Sequence, residues 1–200
     1  LNRGVDGFRF DAVGHLVENG PGAWNNQPQN LPILRDARAL IDGYAKRFLV
    51  CEGPDAPLTY TEACGSAFAF GHHARILEAA RGNPTALRAV AEHFVTSPLT
   101  MSTMLANHDS FAGQRVFDQL GGNLAQYRLA AATTLLMPGT PFIYYGEEIG
   151  LAGAPQLSGD AKLRTPMSWT GEARTAGFTT GTPYRALAGN VATANVAAQQ

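Results

Sequence analysis

Five short apolar runs, separated by longer stretches of helical periodicity, divide residues 1 to about 150, and this alternation is the pattern of repeated βα units feeding a parallel sheet. The runs are Gly7–Asp11, Arg47–Glu52, Ser66–Phe70, Met101–Asn107 and Pro141–Tyr145, none longer than seven residues, a length that suits barrel strands. Helices are predicted over 32–46, 84–95 and 123–137, with a short extra one over 74–80. Two of them open on Pro32 and Pro84, where a missing N–H costs least; the third has Asn123 as its candidate N-cap and stops before Pro138-Gly139. After about residue 150 the sequence turns to Gly, Ala, Thr and Pro without sustained periodicity, which reads as a long, loop-rich segment.

Five strands cannot close an eight-stranded barrel, so the chain reads as part of one, with its whole length assigned to a single partial barrel domain. The competing reading, an open doubly wound sheet, lacks both a G-x-G-x-x-G fingerprint and a P-loop after any run. With 15 Lys and Arg against 16 Asp and Glu and no basic run, nothing marks a nucleic-acid partner. The most apolar stretch, Leu129 to Ile149, is broken by Pro138, Gly139 and Pro141 and is no membrane segment. Cys51 and Cys64 sit at the edges of apolar runs and read as small buried thiols rather than a disulfide. The five histidines do not converge in the sequence on a metal-ligand pattern, and His72 and His73 read as surface-loop residues.

In a parallel βα barrel the reactive groups sit at the C-terminal ends of strands, and three of the five runs finish on a carboxylate: Asp11, Glu52 and Asp109. Cleavage of a glycosidic bond with retention needs two carboxyl groups about 5 Å apart, one ionised as nucleophile and one protonated as acid. Neighbouring strands, about 4.8 Å apart, supply that separation. Arg9 lies two residues before Asp11, hence on the same strand face, where its guanidinium keeps Asp11 ionised; this makes Asp11 the nucleophile and Glu52 the acid/base. Asp109 follows the fourth run by two residues, and beside it Asn107 and His108 suit hydrogen bonding to sugar hydroxyls better than helix capping.

The blocks Asp6-Gly7-Phe8-Arg9-Phe10-Asp11-Ala12-Val13, the strand-ending Glu52 and Asn107-His108-Asp109, in that order, resemble three conserved blocks of the α-amylase family of glycoside hydrolases. The segment from Gly139 to Gly150 is similar to that family's eighth strand and following loop. The resemblance implies an α/β fold comprising the C-terminal part of a (β/α)8 barrel, about strands 4 to 8, with residues 150–200 following the last strand. It implies that Asp11 is the nucleophile, Glu52 the general acid/base and Asp109 the carboxylate that holds the ring at the cleavage point, with Arg9 and His108 as binding neighbours. His15 falls where family members carry a histidine that contacts substrate or offers a backbone oxygen to calcium, and it reads equally as a histidine of a loop or helix start. No cofactor is called for by the residues; calcium is the one ion the resemblance admits, in a full-length enzyme.

The late segment Arg164-Thr165-Pro166-Met167-Ser168-Trp169, with Ala176–Thr179 and Asn195–Gln199, resembles the corresponding loop of oligo-1,6-glucosidases, trehalose synthases and related bacterial α-amylases. Trp169 and Phe178 read equally as pins for that loop and as substrate contacts. The implied substrate is an α-glucan or maltooligosaccharide, with hydrolysis ahead of glucosyl transfer or isomerisation. A non-catalytic glucan-binding homologue is the alternative from another class, and the intact carboxylates count against it.

Overall fold

A computed structural model describes residues 1–199. The chain forms two compact units: one comprises Leu1–His72, His93–Thr103 and Met137–Pro141, the other His73–Glu92, Met104–Leu136 and the residues from Phe142 onward.

The first unit carries the strands. β1 (Gly7–Phe10) pairs in parallel with β2 (Phe48–Cys51), in the register Gly7 to Phe48 through Phe10 to Cys51. Gly7 permits this approach, because a Cβ there would stand 2.1 Å from the Phe48 carbonyl oxygen. Cys51 then bridges to Ala67 and Phe68 to Ser102, and β3 (Ser102–Thr103) pairs in parallel with β4 (Thr140–Pro141). All five predicted runs therefore join one parallel succession in chain order. The third contributes only isolated bridges, the fourth is cut to Ser102–Thr103, and the fifth is cut to Thr140–Pro141, which overlaps the predicted run at Pro141 alone. A buried hydrogen bond of 2.7 Å between the Ser66 and Ser102 hydroxyls ties the third run to the fourth where its ladder is thin.

The predicted helices are present as α1 (Asn30–Asp42), α3 (His72–Ala80), α4 (Pro84–Thr96) and α6 (Leu124–Leu136), with α2 (Pro57–Cys64), α5 (Val116–Gln119) and α7 (Gly159–Leu163) in addition. Asn123 caps α6 as expected: its Oδ1 accepts the Ala125 and Gln126 N–H groups, each at 3.1 Å. Beyond Gly150 the described residues carry one short α-helix, α7, and a 3-10 turn at Val196–Gln199. In the first unit, Val13, Leu34, Ile41, Leu49, Tyr60 and Ala67 form one buried cluster that seats α1 and α2 against β2. In the second, Ile149, Leu151 and Ala188 pack together with Met167 and Val196. Among the described residues no helix is long and apolar enough to cross a membrane.

Two expectations fail. Cys51 and Cys64 are joined as a disulfide with a Cα–Cα distance of 6.2 Å, because α2 returns its last residue over the last residue of β2. His72 and His73 open α3 and are buried, at 4% and 9% exposure, rather than lying on a surface loop. The His72 ring stacks on His93 with centroids 3.5 Å apart.

Candidate active site

The strand register fixes the first constellation. Asp11 and Glu52 each follow the paired residues Phe10 and Cys51 by one position, so they leave neighbouring parallel strands at the same level. The ladder continues past them: Glu52 N–H donates to Phe10 O at 2.8 Å and Val13 N–H to Glu52 O at 3.0 Å. Between them Ala12 adopts a left-handed conformation (φ 46°), which costs about 1–2 kcal/mol for a residue with a Cβ. Its N–H donates to Glu52 Oε2 at 3.0 Å.

Arg9 lies on the same strand face as Asp11, as expected, and its Nη1 is bonded to Asp11 Oδ1. Its Nη2 reaches Glu52 Oε2 at 2.9 Å, a contact the sequence does not suggest. The two carboxyl groups differ sharply in environment: the Asp11 side chain is 71% exposed, the Glu52 side chain 8%. Burial pushes the Glu52 carboxyl above its ordinary range; the Ala12 N–H opposes this, a hydrogen bond to the Asp11 side chain adds to it, and the Arg9 charge opposes it. Both carboxyl groups pair with Arg9, but one is wet and the other dry and shifted toward its protonated form, a difference in environment that suits nucleophile and acid.

His15 ends the 3-10 turn Val13–His15, is exposed, and stacks on Trp24 with ring centroids 5.1 Å apart and planes 8° from parallel.

The second unit holds Asp109. Its Oδ1 accepts Arg164 Nη2 at 2.8 Å, its Oδ2 lies 3.2 Å from His108 Nε2, and its own N–H donates to Asn107 Oδ1 at 2.8 Å. Arg164 also donates from Nε to the His108 carbonyl at 2.9 Å and from Nη2 to Asp160 at 3.0 Å. Asp160 in turn accepts the Ser110 N–H and hydroxyl, at 2.8 and 2.7 Å, and these two bonds hold its carboxyl below the usual range. Arg164 and Asp160 are absent from the sequence-predicted site. The charged start of the Arg164–Trp169 segment is the one signal for Arg164, which stands 55 residues from Asp109, and nothing in the sequence singles out Asp160.

Arg115, fully buried, fixes the segment that carries Arg164. It donates to the carbonyls of Tyr145 and, at 2.6 Å, Leu163, and lies over the Tyr144 and Tyr145 rings at 4.3 and 4.5 Å. The Tyr145 hydroxyl donates to Thr165 O at 2.5 Å, so Arg164 is held from both sides.

For calcium, which requires six to eight oxygen ligands, the described residues supply no group of three or more His, Cys, Asp or Glu side chains arranged around one point. No step of the proposed reaction runs through that ion.

The model of the α-amylase catalytic domain matches residues 1–200. The chain is 30% identical over 229 residues to the trehalose synthase/amylase TreS of Mycolicibacterium smegmatis, covering 92% of this chain and 38% of that protein. It is 31% identical over 192 residues to the α-amylase SusG of Bacteroides thetaiotaomicron, covering 90% and 27%. Among solved structures, the α-glucosyl transfer enzyme XgtA superposes with a TM-score of 0.78 at 25% identity, over 100% of this chain and 46% of that one. The α-amylase of H. orenii does so with a TM-score of 0.69 at 26% identity, over 98% and 38%. The chain thus spans less than half the length of each of these relatives. Strand-end carboxylates on a parallel βα succession and a match along the whole sequence agree: this chain belongs to the α-amylase catalytic-domain family and is part of a (β/α)8 barrel.

Proposed function

We propose that the protein carrying this chain is a retaining glycoside hydrolase acting on the α-glucosidic bonds of starch-like glucans and maltooligosaccharides, and that the chain supplies about strands 4 to 8 of its barrel. The observation that carries this reading is the pairing of exposed Asp11 with buried Glu52 at one level of two adjacent strands, both in contact with Arg9. Asp11, ionised, attacks the anomeric carbon while Glu52 gives its proton to the departing oxygen, leaving a β-glucosyl ester on Asp11. Glu52, now ionised, takes a proton from water, and the hydroxide equivalent releases the sugar with its original configuration. Asp109, flanked by His108 and Arg164, is assigned to the ring hydroxyls; His15 is assigned to substrate contact.

The test is proton NMR of the first product formed from maltohexaose by the full-length protein. The α-anomer should appear first, and Asp11→Asn should abolish turnover in a folded protein. Initial appearance of the β-anomer, or full activity of Asp11→Asn, overturns the assignment.

A second reading, glucosyl transfer or isomerisation, is favoured by two named relatives, TreS and XgtA. It shares the ester on Asp11 and differs in what attacks it. Resolving products from maltose separates the two: glucose alone supports hydrolysis, while trehalose or a longer saccharide supports transfer.

A further inference from the structure

One helix grips Glu52 from both sides. α2 presents Tyr60 and Cys64, one helical turn apart and so on one face, toward the end of β2. Cys64 is joined to Cys51, the residue before Glu52. The Tyr60 ring lies against Gly53, the residue after it, so closely that a Cβ on Gly53 would stand 2.0 Å from Tyr60 Cδ2 and 2.7 Å from its Cγ. Cys51, Gly53, Tyr60 and Cys64 are all buried.

On the β1 side, Glu52 is held by hydrogen bonds and charge. The Ala12 N–H and Arg9 Nη2 orient its Oε2, and its backbone N–H and carbonyl bond to Phe10 O and Val13 N–H. These contacts do not restrain the chain beyond it. The regular pairing of β2 ends at Cys51, and the residue after Glu52 is a glycine, whose backbone freedom would let the acid swing. A buried ring against that glycine and a covalent bond to the residue before Glu52 remove the freedom at both neighbours. α2 is itself anchored. At its end the Gly65 N–H donates to Thr61 O at 2.8 Å, and the next residue, Ser66, accepts the Cys51 N–H at 2.9 Å. The Tyr60 hydroxyl donates to Asn26 Oδ1 at 2.6 Å.

We propose that Tyr60 and Cys64 are positioning residues for the general acid: α2 is a two-point clamp that holds the Glu52 carboxyl in line with the leaving oxygen, Tyr60 through Gly53 and Cys64 through Cys51. The inference rests on the reading of Glu52 as that acid. Both residues act through the backbone that carries Glu52 and not on the sugar. A proton donor works only within hydrogen-bond reach of its target, so a drift of about 1 Å costs about 100-fold where the leaving group needs the proton. It costs little where the leaving group departs without one. The clamp therefore bears on sugar–sugar bonds, whose alkoxide must be protonated, and hardly on a bond to nitrophenolate.

The test compares kcat/KM of the full-length protein on maltohexaose and on nitrophenyl α-glucoside. For each substrate kcat/KM reports formation of the Asp11 ester, and the ratio of the two values is unchanged by any loss of folded protein. Tyr60→Ala, which frees Gly53, should lower the maltohexaose value about 100-fold and the aryl value less than about threefold. Cys51→Ala/Cys64→Ala should lower the ratio about tenfold, because Tyr60 still holds the other side. Tyr60→Phe, which keeps the ring and loses the bond to Asn26, should leave the ratio within about threefold of wild type. Equal losses on both substrates from Tyr60→Ala, or a ratio in Tyr60→Phe as low as in Tyr60→Ala, overturns the clamp. Equal losses from Glu52→Gln would instead overturn the acid reading, so the two failures are distinguishable.

Discussion

Arg9 Nη2 stands 2.9 Å from Glu52 Oε2 while the other nitrogen of the same guanidinium is bonded to Asp11, so one cation serves both carboxyl groups of the proposed pair. Its charge favours the ionised form of Glu52 against the burial that raises its pKa. Replacing it with a neutral residue of similar length removes that restraint. In Arg9→Met, the alkaline limb of the pH dependence of kcat/KM, which reports loss of the Glu52 proton, is expected to move to higher pH while kcat falls about 100-fold or more. A limb that stays in place or moves to lower pH would show that Arg9 does not act on Glu52.

Glu52→Gln keeps the hydrogen-bonding shape and loses the proton donor. On maltooligosaccharides, whose leaving alkoxide needs protonation, kcat is expected to fall by about 10²–10⁴. On an aryl glucoside with a nitrophenolate leaving group, formation of the Asp11 ester should be largely retained, visible as a burst of nitrophenol followed by slow turnover. Equal losses on both substrates would remove Glu52 from the acid role.

The Cys51–Cys64 bond closes a short loop, the two residues being 13 positions apart, and fixes α2 to the strand end that precedes Glu52. A loop of about this length contributes about 3 kcal/mol by restricting the unfolded chain. Cys51→Ala/Cys64→Ala should therefore lower stability by about 2–4 kcal/mol in urea unfolding, and reduction of the wild type should reproduce most of that loss. Alkylation of the unreduced, denatured protein should label neither cysteine; labelling of both would contradict the disulfide.

The proposed catalytic pair was legible because it depends on local order: an apolar run, a terminal carboxylate, and an arginine two residues earlier. What was missed depends on tertiary approach. α2 is short, and its two threonines and irregular apolar spacing give no helical stripe; Pro57 at its start was the one available signal. Without α2, nothing in the sequence places Cys64 over Cys51, and both read as thiols. His72 and His73 look polar in sequence, yet they lie at the start of a helix whose buried positions include Ile76 and Leu77. The apolar runs extend past the strands for a related reason: an apolar run marks burial, whereas the ladder ends where the backbone turns away.

Glu147 sets a pH dependence of stability. Burial raises its carboxyl from 4.5 to about 8, against the opposing Tyr144 N–H bond and the Arg115 charge. Between those two values the folded chain keeps a proton that the unfolded chain has released, so the folded state binds more protons and stability falls as pH rises from 4.5 to about 8, then levels off. Glu147→Gln removes this slope. The urea midpoint of the variant relative to wild type is expected to climb across that window and to stay constant above it. A wild-type midpoint that follows the variant in parallel from pH 5 to 8 would assign the slope to other groups.

Arg164 separates positioning from charge at Asp109. It binds the Asp109 side chain and the His108 carbonyl together, so its loss frees both the carboxylate and the backbone that carries it. Arg164→Ala should lower kcat/KM about 100-fold, the scale expected when a binding group drifts by about 1 Å. Arg164→Lys retains a positive charge but cannot reach Asp109 and His108 O in the same fork, and should recover only a small part of the loss. Asp160→Asn weakens one side of Arg164 and keeps a hydrogen-bonding group for Ser110, so its effect should be several-fold at most. If Arg164→Lys matched wild type while Asp160→Asn were as damaging as Arg164→Ala, the important element would be the Ser110–Asp160 bond, and Arg164 would only neutralise charge.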